Sequence, residues 1–127
     1  MKARHLLAVS AVIAWVIGLT LVLASGAMMA PMGLELTART ATLAHAQGAL
    51  LIGLGVINWL SRRATDAATL RAVLAGNLVI QLLSLGVNAR AAAYGLVTSQ
   101  AWGAVVMHLV LAAGFAWFLL RPAPKTA

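Results

Sequence analysis

Residues 77–88 read NLVIQLLSLGVN, a run of Leu, Val and Ile interrupted by Asn77, Gln81, Ser84 and Asn88. At the helical turn of about 100° per residue, spacings of four, three and four place these four side chains in one narrow arc. The rest of the helix surface is hydrocarbon. A soluble helix with a single polar stripe would normally sit in a chain rich in charge, so the surroundings of this segment decide what the stripe means.

Those surroundings are apolar. Of 127 residues 63% are hydrophobic and 9% charged, well below the roughly 25% charged residues a soluble domain carries. The charges are also bunched, leaving Leu6–Leu34, Thr40–Ser61, Ala72–Ala89 and Ala91–Leu120 free of them. A bilayer crossing takes about 20 apolar residues, so each window supplies one. The expected fold class is all-α, a single membrane domain over residues 1–127. It is a transmembrane four-helix bundle with helices at about 6–29, 40–60, 67–89 and 101–120. Short connections favour an up-down-up-down arrangement.

The net charge of +7 is distributed along the chain in a telling way. With the amino terminus inside and four crossings, Lys2, Arg4, Arg62, Arg63, Arg71, Arg121 and Lys125 fall on the cytoplasmic side. Only Arg39 and Arg90 fall outside. This is the positive-inside bias, so both termini are expected in the cytoplasm. The basic residues then act as topology signals and contacts for anionic lipid headgroups, and no nucleic-acid partner is expected. A multi-pass protein of the bacterial inner (plasma) membrane is the expected location. The first apolar segment exceeds the roughly 7–15 residues of a signal peptide's core, so it is expected to stay as a membrane helix.

Punctuation between the windows is equally legible. Pro31 is expected to stop the first helix, and Asp66 is placed to cap the third. Ala11, Ala14, Gly18 and Ser25 lie on one face of the first helix, and Ala41, Ala44, Gly48 and Gly55 on one face of the second. Such stripes of small residues let backbones approach closely; most of their meaning is helix packing, with room for a flat ligand as the alternative.

In hydrocarbon the backbone is satisfied by its own helix, whereas a side-chain amide is not. Asn77, Gln81, Ser84 and Asn88 must therefore face protein, ligand or water. Interhelical hydrogen bonding is the plainest reading, and a bound ligand or small aqueous cavity is the alternative. Counting 1.5 Å per residue from the outer markers puts His45, Ser84 and His108 each about 9 Å deep. Intramembrane histidines are functional candidates, so His45, Gln81, Ser84, Asn88 and His108 form the candidate ligand- or cofactor-binding layer. Two imidazoles on diagonal helices could flank a haem b iron, with quinone as a second candidate cofactor. A hydrogen-bonded layer without cofactor competes with both. A divalent metal is disfavoured because no carboxylate reaches that depth.

Nearer mid-membrane, Trp15 is expected to donate its indole N–H to Gln81, since a buried indole seeks an acceptor. Gln47 and Asn58 point away from His45, suggesting a second protein-facing side such as a homodimer contact. Asn58 could alternatively reach inner-face water. The only acids, Glu35 and Asp66, lie in loops, which argues against a proton-coupled exporter needing a membrane-embedded carboxylate. No cysteine is present, and no hydrolase or phosphate-loop motif is found. No catalytic residue is assigned, and a non-enzymatic role is expected.

The segments HAQGALLIGLGVINWLSRR (residues 45–63) and WGAVVMHLVLAAGFAWFLL (residues 102–120) resemble the DoxX-like group of small bacterial four-helix membrane proteins. The likeness spans roughly Ala41 to Leu120 and rests on Gly, Ala and Leu. It implies a four-helix membrane fold and a role beside respiratory, quinone-reducing complexes, with no family functional residue to transfer. Two functions therefore stand. One is an accessory subunit, in a homodimer or larger membrane complex, or a small-ligand-binding bundle. The other is a redox protein holding haem or quinone in the outer leaflet between helices 2, 3 and 4.

Overall fold

The computed structural model describes residues 2–121, and the Lys125 assignment lies outside them. Among the described residues the chain is all-α. It comprises α1 (Ala3–Leu23), a short α2 (Ser25–Met29) running into a 3-10 turn (Ala30–Met32), α3 (Ala38–Ser61), α4 (Ala67–Ala93) and α5 (Ala101–Leu120). The four long helices are each long and apolar enough to cross a membrane. Large hydrophobic side chains cover their outward faces, including Leu50, Leu83, Val87 and Val110. In water such a surface would be untenable; in lipid it is the required solvent match.

The first segment departs from the expected single helix over 6–29. It breaks at Ala24, whose φ of −147° and ψ of 48° leave the helical region. One turn earlier Thr20 donates its hydroxyl to Val16 O, a back-bond of a kind often found in bent helices. Pro31 then falls in the 3-10 turn rather than directly ending a long helix. The chain turns at Gly33, whose φ of +74° is left-handed and suits a residue without Cβ. At the other end of the third window, α4 runs on past the expected Ala89 to Ala93. Its continuation is stopped at Gly95, with φ of +65°.

Caps match local chemistry. Thr37 and Thr40 exchange backbone and side-chain hydrogen bonds across the first turn of α3, a reciprocal capping box. Asp66 Oδ2 accepts from the Thr69 N–H at 2.7 Å, as its position predicts. Hydrogen bonds from the Thr69 side chain and backbone hold the Asp66 carboxyl below its ordinary pKa.

The helices associate as two intimate pairs, α1 with α3 and α4 with α5, while α3 meets α4 and α1 meets α5 sparsely. The α1–α3 seam is the stripe of small residues. A Cβ built on Gly48 would lie 2.7 Å from Gly18 O, and one on Gly18 would lie 2.8 Å from Gly48 O. Further along the same seam, the Trp15 indole lies across Gly55, where a Cβ would come within 2.5 Å of the ring. The pairs are joined at one end by an apolar plug of Leu6, Leu7, Leu74, Leu111 and Phe115. At the other end Thr98 spans the two connecting loops, donating its N–H to Met32 O at 3.0 Å and its hydroxyl to Pro31 O at 2.6 Å.

Gly48→Ala forces two backbones apart, and an overpacked contact of this kind costs about 1–3 kcal/mol. Gly53→Ala meets nothing within 4 Å. Thermal unfolding in detergent should therefore show Gly48→Ala lowered and Gly53→Ala unchanged or raised. Equal behaviour of the two variants would mean that the seam does not hold the pair together.

Candidate functional site

The polar arc of α4 does not act as one line. Its residues separate into three levels with different partners. At the first level Asn77 faces Asn58 of α3: Asn77 Nδ2 donates to Asn58 Oδ1 at 2.7 Å, and Asn58 Nδ2 returns the bond to Asn77 Oδ1 at 2.9 Å. The remaining amide hydrogens are also used, Asn77 on Val73 O at 2.9 Å and Asn58 on Ser10 Oγ at 3.2 Å. Ser10 in turn donates to Leu7 O. Every N–H of both amides is therefore satisfied, and the trio ties α1, α3 and α4 together. Asn58 is 0% exposed and Asn77 2% exposed, so these amides depend on one another and on Ser10 for partners.

That arrangement revises the expectation for Asn58. It neither reaches inner-face water nor looks outward to a second subunit, because Ser10 and Asn77 of the same chain supply its partners. Trp15 is likewise placed differently. Its indole N–H donates to Ile52 O at 3.3 Å rather than to Gln81. The missing side chain of Gly55 leaves room for the ring against α3, where it also packs on Trp59 with ring centroids 5.4 Å apart.

The second level is the contact between Gln81 of α4 and His108 of α5. His108 Nδ1 and Gln81 Oε1 are 2.6 Å apart. A carboxamide oxygen only accepts, so the ring carries its proton on Nδ1 and leaves Nε2 as a lone-pair acceptor. The Gln81 amide nitrogen donates to no protein group among the described residues. Side by side, the pair presents an acceptor and two donors. At the third level Asn88 donates to Ser84 O at 2.8 Å, folding its amide onto its own helix.

All three levels line one cavity of about 350 Å³ between the four long helices. Ser10, Asn58 and Asn77 form its floor, and Gln81 with His108 its waist. Ser84 and Asn88 line it further along, near Met28 and Met32. The walls between are aliphatic, and no Arg, Lys, Asp or Glu lines it. Gln47, from α3, also borders it. Of the sequence-derived candidates, Gln81, Ser84, Asn88 and His108 share this cavity. His45 does not: it is exposed on α3 and lines no part of it. The two imidazoles therefore do not face each other across the interior. Among the described residues no group of three His, Cys, Asp or Glu could hold a metal ion.

Replacing Asn58 or Asn77 singly by Leu orphans the remaining buried amide, at a cost of about 1–3 kcal/mol. Replacing both removes the orphan. A double-mutant cycle in detergent should therefore give a doubly substituted protein more stable than the sum of the single losses predicts. Strict additivity would show the reciprocal pair to be uncoupled.

Compared with protein-family models, with curated proteins and with solved structures, the chain matches none.

Proposed function

We propose that the chain is a non-enzymatic, multi-pass protein of the bacterial inner membrane that holds a small, uncharged, mostly apolar molecule in the cavity between its helices. The observation that carries this reading is the Gln81–His108 pair. Two amide donors and one imidazole acceptor stand together in a mostly aliphatic cavity, with the donors unused by protein among the described residues. A hydroxyl on the guest would donate to His108 Nε2 and accept from the Gln81 amide. A carbonyl would use the Gln81 donors alone. A volume of about 350 Å³ is at the small end of ligand sites. The absence of charge on its lining favours a neutral guest, because burying an unpaired ion is costly.

A second reading follows from the same pair: the guest is the ring of a quinone or quinol, and the protein serves a respiratory complex as a subunit. The resemblance to DoxX-like proteins favours that variant. Haem ligated by His45 and His108 is less well supported, since only His108 borders the cavity.

The arrangement in the membrane is up-down-up-down with both termini in the cytoplasm. Descending contacts between α1 and α3, from Ser10–Asn58 through Trp15–Ile52 to Gly18–Gly48, support opposed directions for that pair. Arg62 lies over Trp59, with its Cζ 3.6 Å from the ring centroid, and Arg121 lies over Trp117 at 4.5 Å. Such pairs suit a headgroup level. Reporters fused after Ala127 or within residues 62–66 should be cytoplasmic, and one within residues 33–36 periplasmic. A periplasmic carboxy terminus would overturn this orientation.

Lipid extraction and mass analysis of detergent-purified protein should recover one small neutral species in stoichiometric amount. Gln81→Leu and His108→Leu should lose it, and His45→Ala should retain it. A quinone absorption band in the extract would carry the second reading. A Soret band lost in both His45→Ala and His108→Ala would replace both with haem. Retention of the species by all three variants would overturn the site.

A further inference from the structure

A second cavity, sharing no residue with the first, lies where the start of α1 meets the end of α3. Its volume is about 530 Å³, and it is lined by Arg4, His5, Ala8, Arg62, Arg63 and Ala64. Three guanidinium groups and an imidazole converge there with no carboxylate among the lining residues. The chain possesses only two acids, Glu35 and Asp66, and neither lines the cleft. Like charges gathered without an internal counter-ion repel one another, and a bound anion relieves that repulsion.

The local helix chemistry points the same way. Arg4 and His5 occupy the first turn of α1, which holds no acidic residue, and no side chain caps its N-terminus. A helix N-terminus carries partial positive charge and ordinarily draws acids, so basic residues here reverse the usual preference. An anion would answer both the added cations and a helix end that no side chain caps. At the opposing helix end, Arg62 Nη1 donates to Trp59 O at 2.7 Å, and its guanidinium stacks on the Trp59 ring. The α3 C-terminus is thereby neutralised from within, and the guanidinium is held in place with most of its donors uncommitted. Arg4 Nε donates to His5 Nε2 at 3.3 Å, which leaves Nδ1 as the ring's N–H donor. Ala8 and Ala64 leave the space between these groups open.

We propose that this cleft binds an anionic phosphoryl group, carried by a phospholipid headgroup or free in solution. Planar forks of N–H donors match phosphate oxygens in pairs. The site joins α1 to α3 at the level where Trp59 marks the headgroup zone, so its anion bridges two helix ends from outside the hydrocarbon.

The test is native mass spectrometry of the full chain with phosphatidylglycerol and with phosphatidylcholine. It compares the wild type with Arg4→Gln, Arg62→Gln, Arg63→Gln and Arg71→Gln. Arg63 is exposed and makes no side-chain hydrogen bond among the described residues, so its variant keeps the test valid if Arg62→Gln disturbs folding. Arg71 lies outside the cleft and controls for charge alone. Phosphatidylglycerol should bind in preference to phosphatidylcholine, and each cleft variant should weaken it about fivefold, with Arg71→Gln unchanged. Competition by millimolar inorganic phosphate identifies the phosphate itself as the recognised group. Arginine-dependent lipid binding without competition identifies the intact headgroup. Equal losses at Arg71 and in the cleft, or no preference between the lipids, would overturn the proposal.

Discussion

Hydrocarbon offers a carboxamide nothing to bond with, and the rest of this architecture is arranged around that fact. The Asn58–Asn77 pair meets it by reciprocity: each amide is both donor and acceptor for the other, and the hydrogens left over go to Ser10 and to Val73 O. A contact of this kind in a membrane contributes about 0.6 kcal/mol on average, so its stabilisation is modest. Its larger effect is on register. Sliding α4 by one residue past α3 would break two hydrogen bonds and strand two amides, and the unmade bonds cost more than the made ones yield.

The two kinds of helix contact have different physical origins and different consequences. Where Gly18 and Gly48 meet, nothing but backbone separates the helices, and dispersion acts along a close, continuous seam. Between the pairs, large aliphatic side chains and the polar layer hold the helices further apart. The central cavity is the space left over. Its amide and imidazole lining is therefore a by-product of the residues that must face inward anyway. At Gln81 and His108, however, the pairing is incomplete and donors remain available to a guest.

Much of the fold was legible because charge in a bilayer is conspicuous. Four uncharged windows delivered four long helices, and the Gly–Ala stripes delivered the α1–α3 seam. The break at Ala24 was not legible, since it falls inside an unbroken apolar window with no proline or charge to mark it. In the site, the inward side of α4 could be read from amphipathicity, whereas the partner of each polar group could not. Trp15 was matched to Gln81 by depth alone, and depth says nothing about which side of a helix an indole covers; the bare surface at Gly55 decided that. His45 shows a related separation, since it is exposed on a face of α3 that does not border the cavity. Ser10 was missed, although a usable signal existed. Ser10 and Asn77 each lie six residues from an arginine, Arg4 and Arg71, and Asn58 lies four from Arg62. Hydroxyls are common in membrane helices because they can bond their own backbone, which is why one more serine drew no notice.

The loop bridge at Thr98 has a bearing on how anything enters. With Thr98 fastening Pro31 and Met32 at one end and the Leu6–Phe115 plug closing the other, the top and bottom of the barrel are both laced. What stays loosely sewn are the flanks, α3 beside α4 and α1 beside α5. On the proposed reading, a guest would have to pass between these helices rather than over the loops. Solubility in hydrocarbon, ahead of any fit to the lining, would then be the first filter on it.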